Sequence, residues 1–230
     1  SMDRGIGLFD SRVGSALKKN VLQMRSNCFE WNPMEPMNFA VGNEDYNAYS
    51  FDMRKMDQPT RIYKGHTSAV MSISWSPTGR ELVTGSYDRT MRIFPTHKGV
   101  SRDIYHTRRM QRIFTVNYTL DNKFIISGSD DTNLRLWKAN ASEQLGQRTT
   151  REEAALQYRQ TLVKKYQHMP EVSRISKSRK IPKVIKKQTA MAQIQKKSVD
   201  RKQSNRIKHT KAGTHKFESE KSKTVIKEIE

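Results

Sequence analysis

Histidine and aspartate side chains recur in this chain at spacings that could support acid–base or metal chemistry. His66 precedes Asp88 by 22 residues, and His106 precedes Asp131 by 25 residues. A histidine oriented by a carboxylate can act as a general base, and the same side-chain types also bind transition metals. Which role applies depends on the structural elements that position these residues.

Those elements repeat with a period of 43 residues over the first 140 positions. The recurring residues are a glycine (Gly42, Gly85, Gly128), an aspartate (Asp45, Asp88, Asp131) and an aromatic (Phe51, Phe94, Trp137). A period of about 40–45 residues with this turn and this terminal aromatic is typical of a β-propeller blade. The segments between them alternate apolar and polar residues and end in tight turns, which indicates antiparallel strands.

The period gives the histidines and aspartates a structural role. In WD repeats the aspartate closes a turn and joins a hydrogen-bond chain with a histidine, a strand hydroxyl and a tryptophan. In the middle repeat Phe94 lacks the indole N–H, so that chain is truncated there. The residues that we assign to these chains are His66, Asp88, His106, Ser127, Asp131 and Trp137. We therefore predict neither catalytic nor metal-binding residues among them.

Residues 3–12 read like the end of one more blade, because Phe9 precedes Phe51 by 42 residues. We expect an all-β fold in which residues 1–138 form the C-terminal blades of a WD-repeat propeller, about three blades plus a blade remnant. A closed propeller has four to eight blades, so the parent propeller is expected to be longer. An isolated arc of blades is expected to expose its flanking sheets.

Positive charge is concentrated in the last third of the chain. Residues 151–230 hold 22 Lys and Arg against 8 Asp and Glu, or +14 of the net +20. This asymmetry favours a polyanionic partner, with nucleic acid ahead of acidic lipid. The single cysteine, Cys28, excludes a disulfide framework, and no apolar run reaches the roughly 20 residues of a membrane span.

Catalytic motifs are missing from the sequence. It has no Gly-rich phosphate loop, no Cys/His metal spacing and no Ser-His-Asp order typical of a hydrolase. We expect no enzyme activity, no cofactor, no membrane partner and no small-molecule substrate.

The character of the chain changes near residue 139. A capping box at 150–153 predicts a helix that Pro170 ends, with apolar residues from 155 to 166 on one face. A second helix is predicted from Lys183 to about His209. We expect a basic helical extension over 139–210 and a disordered basic tail over 211–230.

Two interpretations of this extension stay open: a solvated helix packed on the propeller edge, and an RNA-binding extension. Lys and Arg clusters bind phosphates with little base selectivity and also resemble nuclear localisation signals. Aromatic residues are scarce there, which favours backbone and shape recognition of folded RNA. The candidate phosphate-binding residues are Arg174, Lys177, Arg179, Lys180, Lys183, Lys186, Lys187, Lys196, Lys197, Arg201, Lys202, Arg206 and Lys208.

Several long strings resemble the Sof family of nucleolar WD-repeat proteins. They are WNPMEPMNFAVGNEDYNAYSFDMR (31–54), SPTGRELVTGSYDRTMRIFP (76–95), YHTRRMQ (105–111) and GSDDTNLRLWKANASEQLG (128–146). HMPEVSRISKSRKIPK (168–183) and NRIKHTKAG (205–213) resemble that family's Sof-like C-terminal domain.

The resemblance implies a seven-bladed parent and a nucleolar ribonucleoprotein. The family belongs to the U3 small nucleolar ribonucleoprotein and the small-subunit processome, which serve 18S rRNA processing and ribosome biogenesis. Pre-ribosomal RNA and processome proteins would be the partners, and nucleus and nucleolus the location.

Some relatives resemble substrate receptors of cullin-4 ubiquitin ligases, which contact the ligase adaptor through a Trp-Asp-x-Arg element. This chain has Phe-Asp-x-Arg at 9–12 and at 51–54, with Phe in place of Trp. The resemblance implies Asp10, Arg12, Asp52 and Arg54 as adaptor contacts, and the same pairs could instead hold strand ends.

Overall fold

The computed structural model describes residues 2–178, 180–211, 213–215 and 217–229. The chain divides into two compact units, Ser1–Ala139 with Ile181–Glu230, and Asn140–Lys180.

The first unit begins with two antiparallel strands and continues with three blade-like antiparallel sheets. The opening strands are β1 (Gly5–Phe9) and β2 (Ala16–Leu22). The first blade contains β3 (Ser26–Trp31), β4 (Asn38–Asn43), β5 (Ala48–Asp52) and β6 (Arg61–Tyr63). The second contains β7 (Val70–Trp75), β8 (Glu81–Ser86), β9 (Met91–Pro95) and β10 (Asp103–Tyr105). The third contains β11 (Ile113–Tyr118), β12 (Phe124–Ser129) and β13 (Leu134–Lys138).

These sheets confirm the predicted fold class, a partial WD-repeat propeller with helices after it. Within each blade, neighbours in the sheet are neighbours in the chain, as in a β-meander. The predicted 43-residue period is thus the spacing from one blade to the next.

A left-handed residue follows each periodic aspartate. Tyr46, Arg89 and Thr132 have φ values of 72°, 64° and 62°, and Arg4, which follows Asp3, has a φ of 63°. In the first two blades and the opening turn, the aspartate Oδ1 accepts the backbone N–H two residues later. This Asx geometry stabilises a turn that non-glycine residues otherwise avoid. The opening strands therefore carry the same turn as a complete blade.

The periodic glycine lets successive blades approach closely. A Cβ on Gly42 would lie 2.8 Å from Val70 Cγ1 in the second blade. A Cβ on Gly85 would lie 2.7 Å from Ile113 Cγ2 in the third blade. No side chain fits at that spacing, so this position requires glycine.

The hydrophobic core lies between sheets rather than inside any one of them. One cluster joins the opening strands to the first blade and includes Leu22 and Phe39. A second joins the first two blades around Tyr63 and Trp75, and a third joins the last two. Each blade is therefore stable chiefly through its neighbours, as in other repeat architectures.

The third blade has one uncovered face. Leu134 and Leu136 of β13 are 77% and 63% exposed, and Ile126 of β12 is 41% exposed. These residues occupy the side of the sheet on which a following blade would pack, so the expected exposure of a flanking sheet is present here.

The second unit contains two helices, α1 (Thr150–Lys165) and α2 (Pro170–Lys177). The N-cap of α1 is Thr149, one residue before the predicted start of the capping box, and Glu152 completes the box. No residue of α1 is buried, so its predicted apolar face is uncovered. The stretch between the two predicted helices forms a further helix that begins at Pro170, with the proline in its first turn.

The first unit also contains α3 (Lys183–His209) and β14 (Val225–Ile229). β14 pairs antiparallel with β2, in the order β1-β2-β14. The prediction of disorder over 211–230 is therefore wrong for residues 225–229. Most of 211–230 is polar, but the strand itself (VIKEI) contains three apolar β-branched residues, and a partner strand about 200 residues earlier supplies the backbone hydrogen bonds.

Candidate nucleic-acid interface

In the middle blade the structure brings His66, Thr84 and Asp88 together. His66 Nδ1 lies 2.9 Å from Asp88 Oδ2, and its Nε2 lies 2.7 Å from Thr84 Oγ1. Burial lowers the pKa of His66, so the imidazole is neutral, donates from Nδ1 to the carboxylate and accepts at Nε2. Burial alone would raise the pKa of Asp88, but hydrogen bonds from His66 and Thr90 outweigh it and hold that pKa well below its usual range.

The third blade uses different contacts around its aspartate. Trp137 Nε1 donates to Ser127 Oγ at 2.8 Å, and His106 directly follows β10. Asp131 accepts from Arg135 Nη1 at 3.0 Å, and this guanidinium lowers the pKa of the carboxyl. Arg135 was not among the residues predicted from the sequence, although its position four residues after Asp131 was a usable signal.

None of this geometry forms a reactive centre. Among the described residues, no group of three His, Cys, Asp or Glu could hold a metal ion. Burial raises the pKa of Cys28 to about 12, so its thiol stays protonated and is a poor nucleophile. Of the helices in the described ranges, none is long and apolar enough to cross a membrane.

The basic residues of α3 are concentrated on one exposed face. Successive residues of an α-helix are rotated by about 100° around its axis, and six basic residues of α3 fall within one arc of about 100°, which we call the stripe. The stripe consists of Lys183, Lys186, Lys187, Lys197, Arg201 and Lys208, all exposed. Asp200 is the one acidic residue of α3. The helix is roughly 40 Å long, so the stripe can reach several phosphates of one nucleic acid.

The N-terminus of α3 favours an anion. Pro182 at the N-cap has no side-chain hydrogen bond to offer, and the first turn contains no acidic residue. Three lysines of the stripe, Lys183, Lys186 and Lys187, add charge beside the positive end of the helix dipole. A bound phosphate would satisfy the free backbone N–H groups and offset this repulsion.

The opposite face of α3 lies against the remainder of its unit. Ile185 is buried, Gln203 Oε1 accepts from Lys223 Nζ at 3.3 Å, and Lys196 forms an ion pair with Glu220. Lys196 therefore lies on the packed side, away from the stripe. Lys202 and Arg206 lie between the two faces.

The remaining phosphate-binding candidates belong to the second unit. Arg174 and Lys177 are on α2, and Lys180 follows it. Arg179 lies outside the described residues.

The adaptor candidates occupy two strand ends. After β5, Arg54 donates to Asp52 from Nε at 3.0 Å and from Nη2 at 2.8 Å, and these bonds lower the pKa of Asp52. The Arg54 side chain is 68% exposed. After β1, Asp10 Oδ1 accepts the backbone N–H of Arg12 at 3.0 Å. Phe51 is buried, whereas Phe9 is 70% exposed.

Family models match both parts of the chain. A model described as "Sof1-like domain" matches residues 139–225, and "WD domain, G-beta repeat" matches residues 57–94 and 104–138.

Curated relatives match nearly the whole chain. A Danio rerio protein named "DDB1- and CUL4-associated factor 13" is 47% identical over 228 residues, which are 99% of this chain and 51% of the relative. The Homo sapiens protein of the same name is 49% identical over 97% of this chain and 50% of its own length. "Protein SOF1" of Saccharomyces cerevisiae is 49% identical over 88% of this chain and 42% of its own length. The chain spans about half the length of the curated relatives it matches.

Proposed function

We propose, because the chain belongs to the Sof1-like family of WD-repeat proteins, that it acts as a non-catalytic scaffold of the small-subunit processome. In this role it supports 18S rRNA processing and small-subunit biogenesis in the nucleolus. Its blades provide surfaces for protein partners, and its basic extension contacts pre-ribosomal RNA.

The single observation that carries the RNA contact is the exposed basic stripe on α3. Asp200 is the single acidic residue of α3, so the helix itself supplies little negative charge to balance the stripe. The stripe lies opposite the packed face that contains Ile185. The basic residues of the stripe lie in both the first and the last part of α3, 183–187 and 197–208, and a helix that served only to pack would not need exposed charge on the same face at both ends. Backbone phosphates match this arrangement because they are regularly spaced anions that need no base-specific donors.

The blades fit a scaffold role because their polar networks are structural. His66 and Asp88 bond to each other and to hydroxyls inside the blade. Both are buried, so they offer no acid–base group to a substrate.

The test is a salt series of binding between the full chain and a structured fragment of pre-ribosomal RNA, followed by fluorescence anisotropy. In the stripe variant, Lys183, Lys186, Lys187, Lys197 and Arg201 are replaced by Gln. We expect weaker binding and a log K against log salt slope that falls by about 0.7 to 0.9 for each lost phosphate contact.

A matched control removes the same number of charges from the blades. It replaces five exposed basic residues by Gln, namely Lys55, Arg80, Lys98, Arg108 and Lys123. The control is expected to retain the wild-type slope to within about one unit. Equal slopes in the two variants would mean that the RNA responds only to net charge, and the proposed interface would be wrong.

A second candidate function is that of a substrate receptor for a cullin-4 ubiquitin ligase. The observation that favours it is the exposed Arg54, which Asp52 holds in one orientation at a blade end. Relatives of this chain are named as DDB1- and CUL4-associated factors.

The receptor function predicts that Arg54→Ala abolishes co-purification of the full chain with the ligase adaptor. Arg80→Ala, an exposed arginine elsewhere on the blades, is the control and should leave co-purification intact. Retention of the adaptor by Arg54→Ala would remove the argument for this function. The same variant should leave RNA binding unchanged, which separates the two functions.

A further inference from the structure

Glu220, in the C-terminal segment 217–229, places its carboxylate between two lysines that belong to different elements. One Glu220 oxygen bonds to Lys64 Nζ, directly after β6, and the other bonds to Lys196 Nζ on α3. Two oxygens of one anion are thus each held by a separate ammonium group. A phosphodiester has two free oxygens and presents the same pattern.

The lysines line a cavity with room for such a group. Its volume is about 390 Å³, and its wall also includes Lys223, Asn43, Asn47 and a second carboxylate, Asp45, which accepts a hydrogen bond from the Tyr49 hydroxyl. The lysine hydrogen bonds lower the pKa of Glu220, that from Lys196 contributing most, so the carboxylate is charged at neutral pH. Glu220 therefore places a charged carboxylate on the wall of the cavity, between the two lysines.

Glu220 is held there by its neighbours rather than by its own burial. The side chains of Glu220, Lys64 and Lys196 are 51%, 43% and 51% exposed. Ion pairs at this exposure are weak and compete with solvent ions. The anchors of the segment lie nearby: Thr224 is buried, and Gln23 Nε2 donates to the Lys223 carbonyl oxygen at 2.8 Å.

We propose that Lys64 and Lys196 form a second RNA-phosphate site, separate from the stripe, and that Glu220 occupies this site as an internal competitor. The proposal rests on the RNA-binding function proposed above. It assigns a role to Lys64, which lies on a blade, and explains why Lys196 lies on the packed side of α3. An RNA phosphate would displace the Glu220 side chain from the two lysines, while Thr224 and the pairing of β14 with β2 keep the rest of the segment in place.

The experiment measures RNA affinity of the full chain for Glu220→Gln against Glu228→Gln. Both variants lose one negative charge from the same segment, but Glu228 pairs with Lys18 at 3.0 Å, outside the lysine pair. Removing two exposed ion pairs that compete with RNA should raise affinity about twofold to thirtyfold in Glu220→Gln. The salt slope should steepen by about 0.7 to 0.9 for the added phosphate contact.

Lys64→Gln in the Glu220→Gln background should return affinity to the wild-type value or below. All three side chains are half exposed, so loss of folding is not expected, and circular dichroism of each variant checks this. If Glu220→Gln and Glu228→Gln bind RNA equally, the internal competitor does not exist.

The stripe variant separates this inference from the function on which it rests. If the stripe variant loses RNA binding while the two glutamate variants are equal, only the second site is wrong. If the stripe variant binds RNA like its matched control, the proposed RNA-binding function is wrong, and the second site that rests on it is wrong with it.

Discussion

The Asp88 carboxylate accepts four hydrogen bonds inside the middle blade, and its removal should destabilise the protein strongly. Its donors are His66 Nδ1 at 2.9 Å, Thr67 N at 3.2 Å, Thr90 N at 2.9 Å and Thr90 Oγ1 at 2.6 Å. Asp88 is only 8% exposed, so water cannot readily replace these bonds.

Asp88→Ala would leave those donors unsatisfied. Each buried donor without a partner costs about 1–3 kcal/mol, so even the low end of that range, summed over the four donors, gives about 4 kcal/mol. We expect the free energy of unfolding to fall by about 3–5 kcal/mol. Since small proteins have about 5–15 kcal/mol in total, this change removes a large fraction of the stability.

Asp88→Asn should cost less, because the amide oxygen can still accept from Thr90. Its NH₂ group would face His66 Nδ1, and the imidazole can respond by moving its proton to Nε2 and donating to Thr84. Thr67 N–H still loses its acceptor, so we expect a loss of about 1–3 kcal/mol.

The assay is urea unfolding of the full chain at pH 7.5, followed by tryptophan fluorescence, with the m-value as a check on two-state behaviour. Asp45→Ala is the matched control, since Asp45 occupies the same turn in the first blade and is half-buried without a histidine partner. The control should lose about 1–2 kcal/mol. If Asp88→Ala loses no more than Asp45→Ala, the buried network does not stabilise the blade and the reasoning is refuted.

Three further predictions concern the same unit. Burial lowers the pKa of His66, so below about pH 6.5 the unfolded state binds a proton at this residue and the folded state does not. The free energy of unfolding should therefore fall as the pH drops from about 7.5 to 5, by at most about 1.4 kcal/mol per pH unit. A urea series on His66→Gln should show a smaller fall. Trp137→Phe removes the 2.8 Å bond to Ser127 and should lower the unfolding free energy by about 1–2 kcal/mol; an unchanged urea midpoint would contradict this. Replacing the exposed Leu134 and Leu136 by Lys should reduce self-association in light scattering and cost no more than about 0.5 kcal/mol, whereas undiminished aggregation would mean that this face is not responsible.

The repeating part of the fold could be predicted because each blade needs the same residue types at the same positions. The glycine recurs where blades approach within van der Waals distance, as at Gly42 and Gly85. The aspartate recurs because a left-handed residue follows it in the turn, as Arg89 follows Asp88. Both constraints return in every blade, so the sequence shows them as residues repeated every 43 positions.

The contacts of the C-terminal segment could not be predicted because they are non-local. The strand β14 (VIKEI) contains three apolar β-branched residues, but it is short, follows a polar stretch and depends on β2, far away in the chain. Likewise, Lys196 looks like any other basic residue of α3, and only the fold shows that it faces Glu220. The stripe itself could have been found from helical periodicity, because α3 has the bounds that the sequence predicts.

The pairing of β14 with β2 also affects folding during synthesis of the chain. Val225 lies opposite Leu22, so the backbone groups on that side of β2 have no partner until about 200 more residues have been synthesised. At about 5–20 residues per second, the wait lasts roughly 10–40 s. During that interval the nascent chain presents an open strand edge to its surroundings, and a chaperone that shields such edges would be needed most during translation rather than after it.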